Sequence, residues 1–194
     1  MKVIKQTRIF KEGILVDKAE IKSTLREPQG PTKKFNRYRV DRPDAAAVIV
    51  YNKKEKTITM VKQFRYAIHD RHKGNLLEIP AGKVDKGEKP IKTAVRETYE
   101  ECGYKLKEKN LIKIAEFFAA PGYTTEKFHL YYVEVKASDK MNKGGGLEAE
   151  NEFIETIEMP VKDLLKALKK GKIVDAKTLV AAQWLMINKI GFKG

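Results

Sequence analysis

Only one cysteine and three histidines occur in the 194 residues. A lone thiol excludes a disulfide framework and a cysteine-rich zinc module, and three imidazoles leave little for a histidine metal site. No apolar run approaches the roughly 20 residues that a membrane-spanning helix needs. The opening residues, Met1-Lys2-Val3-Ile4-Lys5-Gln6, put charge where a signal peptide carries its apolar core. The expectation is a soluble, cytoplasmic protein with no membrane partner. Internal repeats and low-complexity linkers are missing too, so an array architecture is excluded. Acidic residues are in deficit, 26 against 40 basic ones, for a net charge of +14. With 42% hydrophobic residues the chain can build a core, and its length suits one domain with a small appendage.

The positive charge favours an anionic partner. Its densest groups, Lys53-Lys54, Lys105 to Lys109 and Lys169-Lys170, fall in turns or at helix ends. Zinc-finger spacing, an arginine-rich arm and RNA-reading aromatics are all lacking, so nucleic acid is not the expected partner. A lysine-rich solvated surface is the preferred account of the charge, ahead of any specific basic footprint.

Residues 1 to about 42 read as short alternating strands, including Thr7-Arg8-Ile9-Phe10 and Arg37-Tyr38-Arg39-Val40. Turns carrying Gly13, Pro28, Gly30 and Pro31 separate them. They form an N-terminal β-region, followed by a main domain over 43–194. The apolar run Ala45 to Tyr51, the turn Asn52 to Lys56 and the strand Thr57 to Arg65 make a hairpin. Leu76-Leu77-Glu78-Ile79 is a further strand. Residues 89–102 switch to helical period, with Ile91, Ala94, Val95, Thr98 and Cys102 on one face, Pro90 in the first turn and Gly103 just past the end. Strands resume at Leu111 to Phe118, Phe128 to Val135 and Phe153 to Glu158. The segment Ser138 to Glu150, with Gly144-Gly145-Gly146, reads as a mobile loop. Helices over Val161 to Lys169 and Ala176 to Ile190 finish the chain, the second capped by Asp175. The mixture of strands and helices indicates an α/β (α+β) fold.

The helix over 89–102 has an odd second face. Glu97, Glu100 and Glu101 crowd one turn, and like charges four apart destabilise a helix. Arg96, four before Glu100, offsets only one of them. Glu88 can join from the preceding loop. A glutamate-rich helix face is ordinarily just solvated. A hard divalent cation such as Mg²⁺ or Mn²⁺ is the other way to neutralise such a cluster.

Spacing decides between the two. Gly82, five residues, Glu88, seven residues, Arg96-Glu97, two residues, Glu100-Glu101, one residue, Gly103 is the full signature of the Nudix box. The chain therefore resembles the Nudix hydrolase family, whose fold is an α/β/α sandwich around a mixed sheet. Thr98 departs from the family pattern, which favours a bulky aliphatic there; this touches packing more than metal binding. The resemblance implies hydrolysis of a nucleoside diphosphate linked to another moiety, with Mg²⁺ or Mn²⁺ as cofactor. It implies Glu97 and Glu101 as the main metal ligands, Glu100 assisting, and the backbone carbonyl of Ala81 completing the shell. Arg96 and Glu88 take orienting roles.

Features outside the box resemble the ADP-ribose pyrophosphatases and related nucleotide-sugar hydrolases of that family. Leu77-Glu78-Ile79-Pro80-Ala81-Gly82 matches their strand entering the box, with Glu78 counted among the substrate-binding residues. Gln63-Phe64-Arg65 matches a strand whose arginine reaches the substrate's phosphates, a task suited to the planar guanidinium. Pro121-Gly122-Tyr123-Thr124-Thr125-Glu126 stands where they carry a Pro-Gly loop. There Gly122 allows close backbone approach and Glu126 can accept from ribose hydroxyls. Gly146-Leu147-Glu148-Ala149-Glu150-Asn151-Glu152 looks like their acidic loop, with Glu150 and Glu152 the two candidates for the base that activates water. The C-terminal Gly171 to Thr178 and Gln183-Trp184-Leu185 extend the likeness. The resemblance further implies a homodimer built partly through the N-terminal strands. ADP-ribose, split to AMP and ribose 5-phosphate, ranks first as substrate. GDP-mannose or a UDP-sugar ranks second, and a non-catalytic ADP-ribose or nucleic-acid binding module is the distant alternative.

Other residues are assigned structural parts. His69 and His72 sit in a charged stretch without acidic or sulfur partners and read as surface loop. Cys102 reads as a buried thiol, and Trp184 and Phe117 as core. Phe10, Phe35 and Tyr38 are equal candidates to stack on a base.

Overall fold

The computed structural model describes residues 1–23, 33–150 and 152–191. The turn residues Pro28, Gly30 and Pro31, and Asn151 of the acidic loop, lie outside the described residues, as does the side chain of Glu150. The chain divides into two compact units, residues 1–44 with 118–127, and residues 45–117 with 128–194.

The first unit is built on a three-stranded antiparallel sheet, β1 (Lys2–Phe10), β2 (Leu15–Lys22) and β3 (Lys34–Asp41), in that order. Its polar centre is Asp17, buried and gripped from both neighbouring strands. Arg8, Gln6 and Arg39 all donate to its carboxylate. These bonds hold Asp17 below the usual carboxylate range, led by the one from Arg8. The segment 118–127 joins this unit through backbone bonds, with the Val40 N–H donating to the Tyr123 carbonyl at 2.7 Å and that of Thr125 to Val40 at 3.1 Å. No local pattern in the sequence announces that pairing.

The second unit is a seven-stranded mixed sheet between helices. β4 (Ala45–Asn52) lies at its centre, beside β5 (Thr57–Gln63) and β9 (Lys127–Val135), with β8 (Ile112–Phe118) and β10 (Glu155–Pro160) outermost on the main path. β4 and β9 run parallel over eight paired residues, and the other pairings for which a register is resolved are antiparallel. Burial on both faces explains why β4 is an unbroken apolar run rather than an alternating one. On one face Ala46, Val48 and Val50 pack with Ala94 and Cys102 of α1 (Pro90–Cys102). On the other, Ala47 and Ile49 pack with Val161 and Leu164 of α2 (Val161–Lys169) and Ala181, Ala182 and Leu185 of α3 (Ala176–Leu185). This is the expected α/β/α sandwich, with the small antiparallel β-region before it. Trp184 and Phe117 pack against the second cluster, as expected.

The site is positioned by a split in this sheet. β4 and β5 pair only near their hairpin, through Val50, Tyr51 and Asn52. Beyond that they separate, and the gap admits β6 (Leu76–Glu78) against β5 and β7 (Ala81–Lys83) against β4. The Val48 N–H donates to the Pro80 carbonyl at 3.0 Å and closes the junction. The segment 76–83 is thereby held in the sheet where it runs into α1. Several boundaries differ from the sequence pattern: the strand from Thr57 stops at Gln63 rather than Arg65, and the one from Leu76 at Glu78 rather than Ile79. The last strand begins at Glu155 rather than Phe153, and α3 stops at Leu185, after which Met186–Ile190 forms a wider turn of π-helix. Among the described residues no helix is long and apolar enough to cross a membrane.

Candidate active site

Helix α1 starts on Pro90, whose missing N–H costs nothing in a first turn. It ends on Gly103 at φ 78°, a left-handed cap whose N–H donates to the Tyr99 carbonyl. Thr98 is fully buried and its hydroxyl donates to the Ala94 carbonyl at 2.7 Å, so the polar group in the aliphatic position is satisfied within the helix. Cys102 is buried and its thiol is pushed up by desolvation.

The acidic face is not solvated. Glu97 is 7% exposed and Glu101 only 2%. Burial, opposed by Arg96 and reinforced by Glu100 and Glu152, raises Glu97 to about 7. Burial and the charge of Glu97 raise Glu101 to about 8, against a hydrogen bond from the Ala81 N–H at 3.0 Å. Two acids one helical turn apart, each disfavouring the other's charge, compete for whatever cation or proton reaches them.

Arg96 does more than the four-residue spacing suggests. Its Nη1 lies 2.9 Å from Glu100 and 2.8 Å from Glu97, and its Nη2 lies 3.3 Å from Glu88. The expectation that it offsets a single acid is corrected: a guanidinium at a helix edge reaches both its own turn and the preceding loop. Desolvation works against its charge, but Glu88, Glu97 and Glu100 outweigh it and raise its pKa. Glu88 also accepts from the Thr93 hydroxyl at 2.7 Å. These two donors outweigh its own desolvation and keep its carboxyl below the usual range.

Gly82 lies against this cluster. A Cβ built on it would overlap the carboxyl group of Glu97. Gly144, Gly145 and Gly146, in the loop after β9, meet the C-terminal end of α1. Gly145 and Gly146 donate their N–H groups to the carbonyls of Glu101 and Glu100, at 3.0 and 3.1 Å, and the Thr156 hydroxyl donates to the Glu101 carbonyl at 2.7 Å. The run that reads as part of a mobile loop thus caps the helix C-terminus, satisfying carbonyls that have no partner within the helix. It delivers Glu152, half-buried, whose charge acts on both Glu97 and Glu101. Glu150 closes the short 3-10 turn Glu148–Glu150.

Arg65 and Glu78 are brought together on the other side of the split. Arg65 grips Glu78 Oε2 through Nη2 at 2.7 Å and Nε at 2.9 Å. Glu78 Oε1 accepts from Lys177 Nζ at 2.7 Å. Sequence reasoning did not single out Lys177 as a site residue. The available signal was a lysine in the first turn of the otherwise apolar Ala-Lys-Thr-Leu-Val-Ala-Ala, where a charge needs a buried partner.

Gly122 and Glu126 belong to the first unit. Glu126 Oε1 lies 2.9 Å from Arg42 Nε. Gly122 lines a cavity of about 580 Å³ with Arg37, Tyr38, Arg39, Phe118 and Tyr123. Of the aromatic candidates, Phe35 has Arg37 over its ring at 4.5 Å, while Phe10 and Tyr38 are exposed. His69 is exposed, edge-on to Phe64.

Among the described residues no three His, Cys, Asp or Glu side chains are grouped as a finished ion site. The donor chemistry fits a hard divalent cation all the same. Glu97 and Glu101 offer carboxylate oxygens that burial has stripped of water, and the missing side chain of Gly82 makes the room that the Glu97 carboxyl group occupies.

The fold and the box together define the class: residues 41–181 match the NUDIX domain, and the chain belongs to the Nudix hydrolase family, whose members act on pyrophosphate bonds and generally use divalent metal ions. Two relatives carry the name GDP-mannose pyrophosphatase. One, from Escherichia coli O1:K1 / APEC, is 32% identical over 191 residues, 95% of this chain and 97% of its own. The other, from Cronobacter sakazakii, is 34% identical over 168 residues, 86% and 85% of the two chains. A third relative, the methanol dehydrogenase activator of Bacillus methanolicus, is 36% identical over 191 residues, 97% and 94% of the two chains.

Proposed function

We propose that the protein hydrolyses the pyrophosphate bond of a nucleoside diphosphate sugar, with Mg²⁺ or Mn²⁺, releasing a nucleoside monophosphate and a sugar phosphate. The observation that carries this reading is the pair of buried, mutually repelling carboxylates of Glu97 and Glu101 inside a complete Nudix box. Glu97 and Glu101 are the principal ligands, with Glu100 and the Ala81 carbonyl beside them. A divalent cation held there supplies positive charge to the pyrophosphate oxygens as negative charge develops on the leaving phosphate. Arg96 orients the acids, while Arg65, held by Glu78, takes the phosphates. Glu152, or Glu150, accepts the proton of the attacking water. Gly122 and Glu126 contact the nucleoside or sugar. The N-terminal β-region contributes a homodimer interface, a role supported by the exposed Val3, Ile4, Ile9 and Phe10 of β1.

The Pro-Gly and acidic loops put ADP-ribose first among substrates, and the name of the two pyrophosphatase relatives sets GDP-mannose beside it. A panel of ADP-ribose, GDP-mannose, UDP-glucose and dinucleoside polyphosphates, with Mg²⁺ or Mn²⁺ and separation of the phosphate-containing products, decides between them. The reading predicts AMP with ribose 5-phosphate from the first, or GMP with mannose 1-phosphate from the second. Failure to cleave any sugar nucleotide, with salt-sensitive RNA binding instead, overturns it.

A further inference from the structure

Lys177 is the second residue of α3 and only 5% exposed. A lysine is buried so far only where its charge is met. Its Nζ donates to Glu78 Oε1 at 2.7 Å and to Asp175 Oδ1 at 3.0 Å. Glu78 is itself 3% exposed and gives its second oxygen to Arg65, whose side chain stays 40% exposed. Asp175 is the N-cap of α3, and its carboxylate accepts from the Thr178 N–H at 3.0 Å, so part of its charge is met by the helix terminus. The Thr178 hydroxyl in turn accepts from the Ile79 N–H at 2.9 Å. The start of α3 is therefore bonded, residue by residue, to the strand that runs into Gly82. Arg65 also acts on Glu101, so its guanidinium lies within electrostatic reach of the acid cluster.

We infer that Lys177 is a positioning residue for phosphate recognition, neutralising and locking Glu78 so that Glu78 holds the Arg65 guanidinium ready for the substrate's diphosphate. The inference rests on the reading of Arg65 as a phosphate-binding residue. An isolated Arg65–Glu78 pair is neutral, and its buried carboxylate repels an approaching pyrophosphate. A second cation on the far oxygen shares the charge of that carboxylate, and Asp175, the other acid that Lys177 meets, is itself met in part by the helix terminus, so Glu78 repels an anion less while its hold on Arg65 stays fixed. A lysine that merely cements α3 to the sheet would act on stability and leave substrate affinity alone.

The experiment compares wild type, Lys177→Met, Arg65→Gln and the double variant, measuring KM, kcat and melting temperature with the sugar nucleotide that wild type cleaves fastest. Lys177→Met is expected to raise KM about tenfold while kcat changes by less than about threefold, and to add nothing in the Arg65→Gln background. An unchanged KM in a folded Lys177→Met protein, or KM effects that multiply in the double variant, overturns the inference. Should Lys177→Met not fold, Glu78→Gln is compared with Glu78→Gln/Lys177→Met, which removes both buried charges together. Equal KM values there support action through Glu78, and unequal values overturn it. If wild type cleaves no sugar nucleotide, the functional reading fails separately. Calorimetry with inorganic pyrophosphate then carries the test: Lys177→Met weakens binding about tenfold in the wild-type background and not in Arg65→Gln, and any other pattern overturns the inference.

Discussion

Gly82 and Glu97 share one volume: the carboxyl group of the glutamate occupies the space that a side chain on the glycine would fill. The first glycine of the box is thus required by an acid fifteen residues further on (97 − 82), across the turn from β7 into α1. Gly82→Ala should push Glu97 aside, with an overpacking cost of about 1–3 kcal/mol. The expected result is a folded protein whose turnover falls more than about tenfold and whose Mn²⁺ affinity drops. Turnover and metal titration at wild-type levels would separate the glycine from the acid.

Glu101→Gln should move stability and activity in opposite directions. The amide keeps an oxygen for the Ala81 N–H but removes a buried charge that burial and Glu97 disfavour. Metal-dependent turnover is expected to fall at least about a hundredfold, while the metal-free melting temperature holds or rises. A variant with full turnover would remove the metal role assigned to this residue.

The metal-free protein should lose stability as pH rises. Glu97 at about 7 and Glu101 at about 8 both lie above the ordinary glutamate value of 4.5. The native state therefore holds protons that the unfolded chain releases. That gain is complete below 4.5 and is lost as pH climbs through 7 and 8. Glu88 and Asp17, with carboxyls below the usual range, act in the other sense, and their contribution fades only in more acidic solution. Melting temperatures after chelation should fall between about pH 5.5 and pH 8.5, and added Mg²⁺ or Mn²⁺ should raise them more at the higher pH. A flat profile would show that the two acids are hydrated.

Gly144→Ala tests the cap on α1. Gly144 has φ 69°, and a Cβ there would strike the Glu101 carbonyl. The strain and clash should cost about 1–3 kcal/mol and lower the melting temperature by several degrees. Because the same loop delivers Glu152, kcat should fall as well. A variant of wild-type stability would show that the loop stands clear of the helix.

Helix α1 was legible because its information is local. Ala94, Thr98 and Cys102 recur at helical spacing and do face the sheet, and Pro90 and Gly103 mark its ends. The apolar run in β4 was equally plain. Relationships at long range left no such pattern. Arg96 reaches Glu97, Glu100 and Glu88 together because the 84–89 loop folds back beside its helix. The glycine run reads as slack chain, and only its contact with Glu100 and Glu101 shows it to be a cap.

From its sequence alone, this protein's helix periods, its β-rich organisation and the spacing of the box acids were determined, since these depend on neighbours within a few residues. The tertiary structure decided which of those acids are dry. It also decided that Glu78 meets Lys177, 99 residues away, and that residues 118–127 lie with the N-terminal sheet. Burial and charge pairing are properties of the assembled surroundings. A carboxylate acquires its affinity for protons, arginine or metal only when the chain has closed around it.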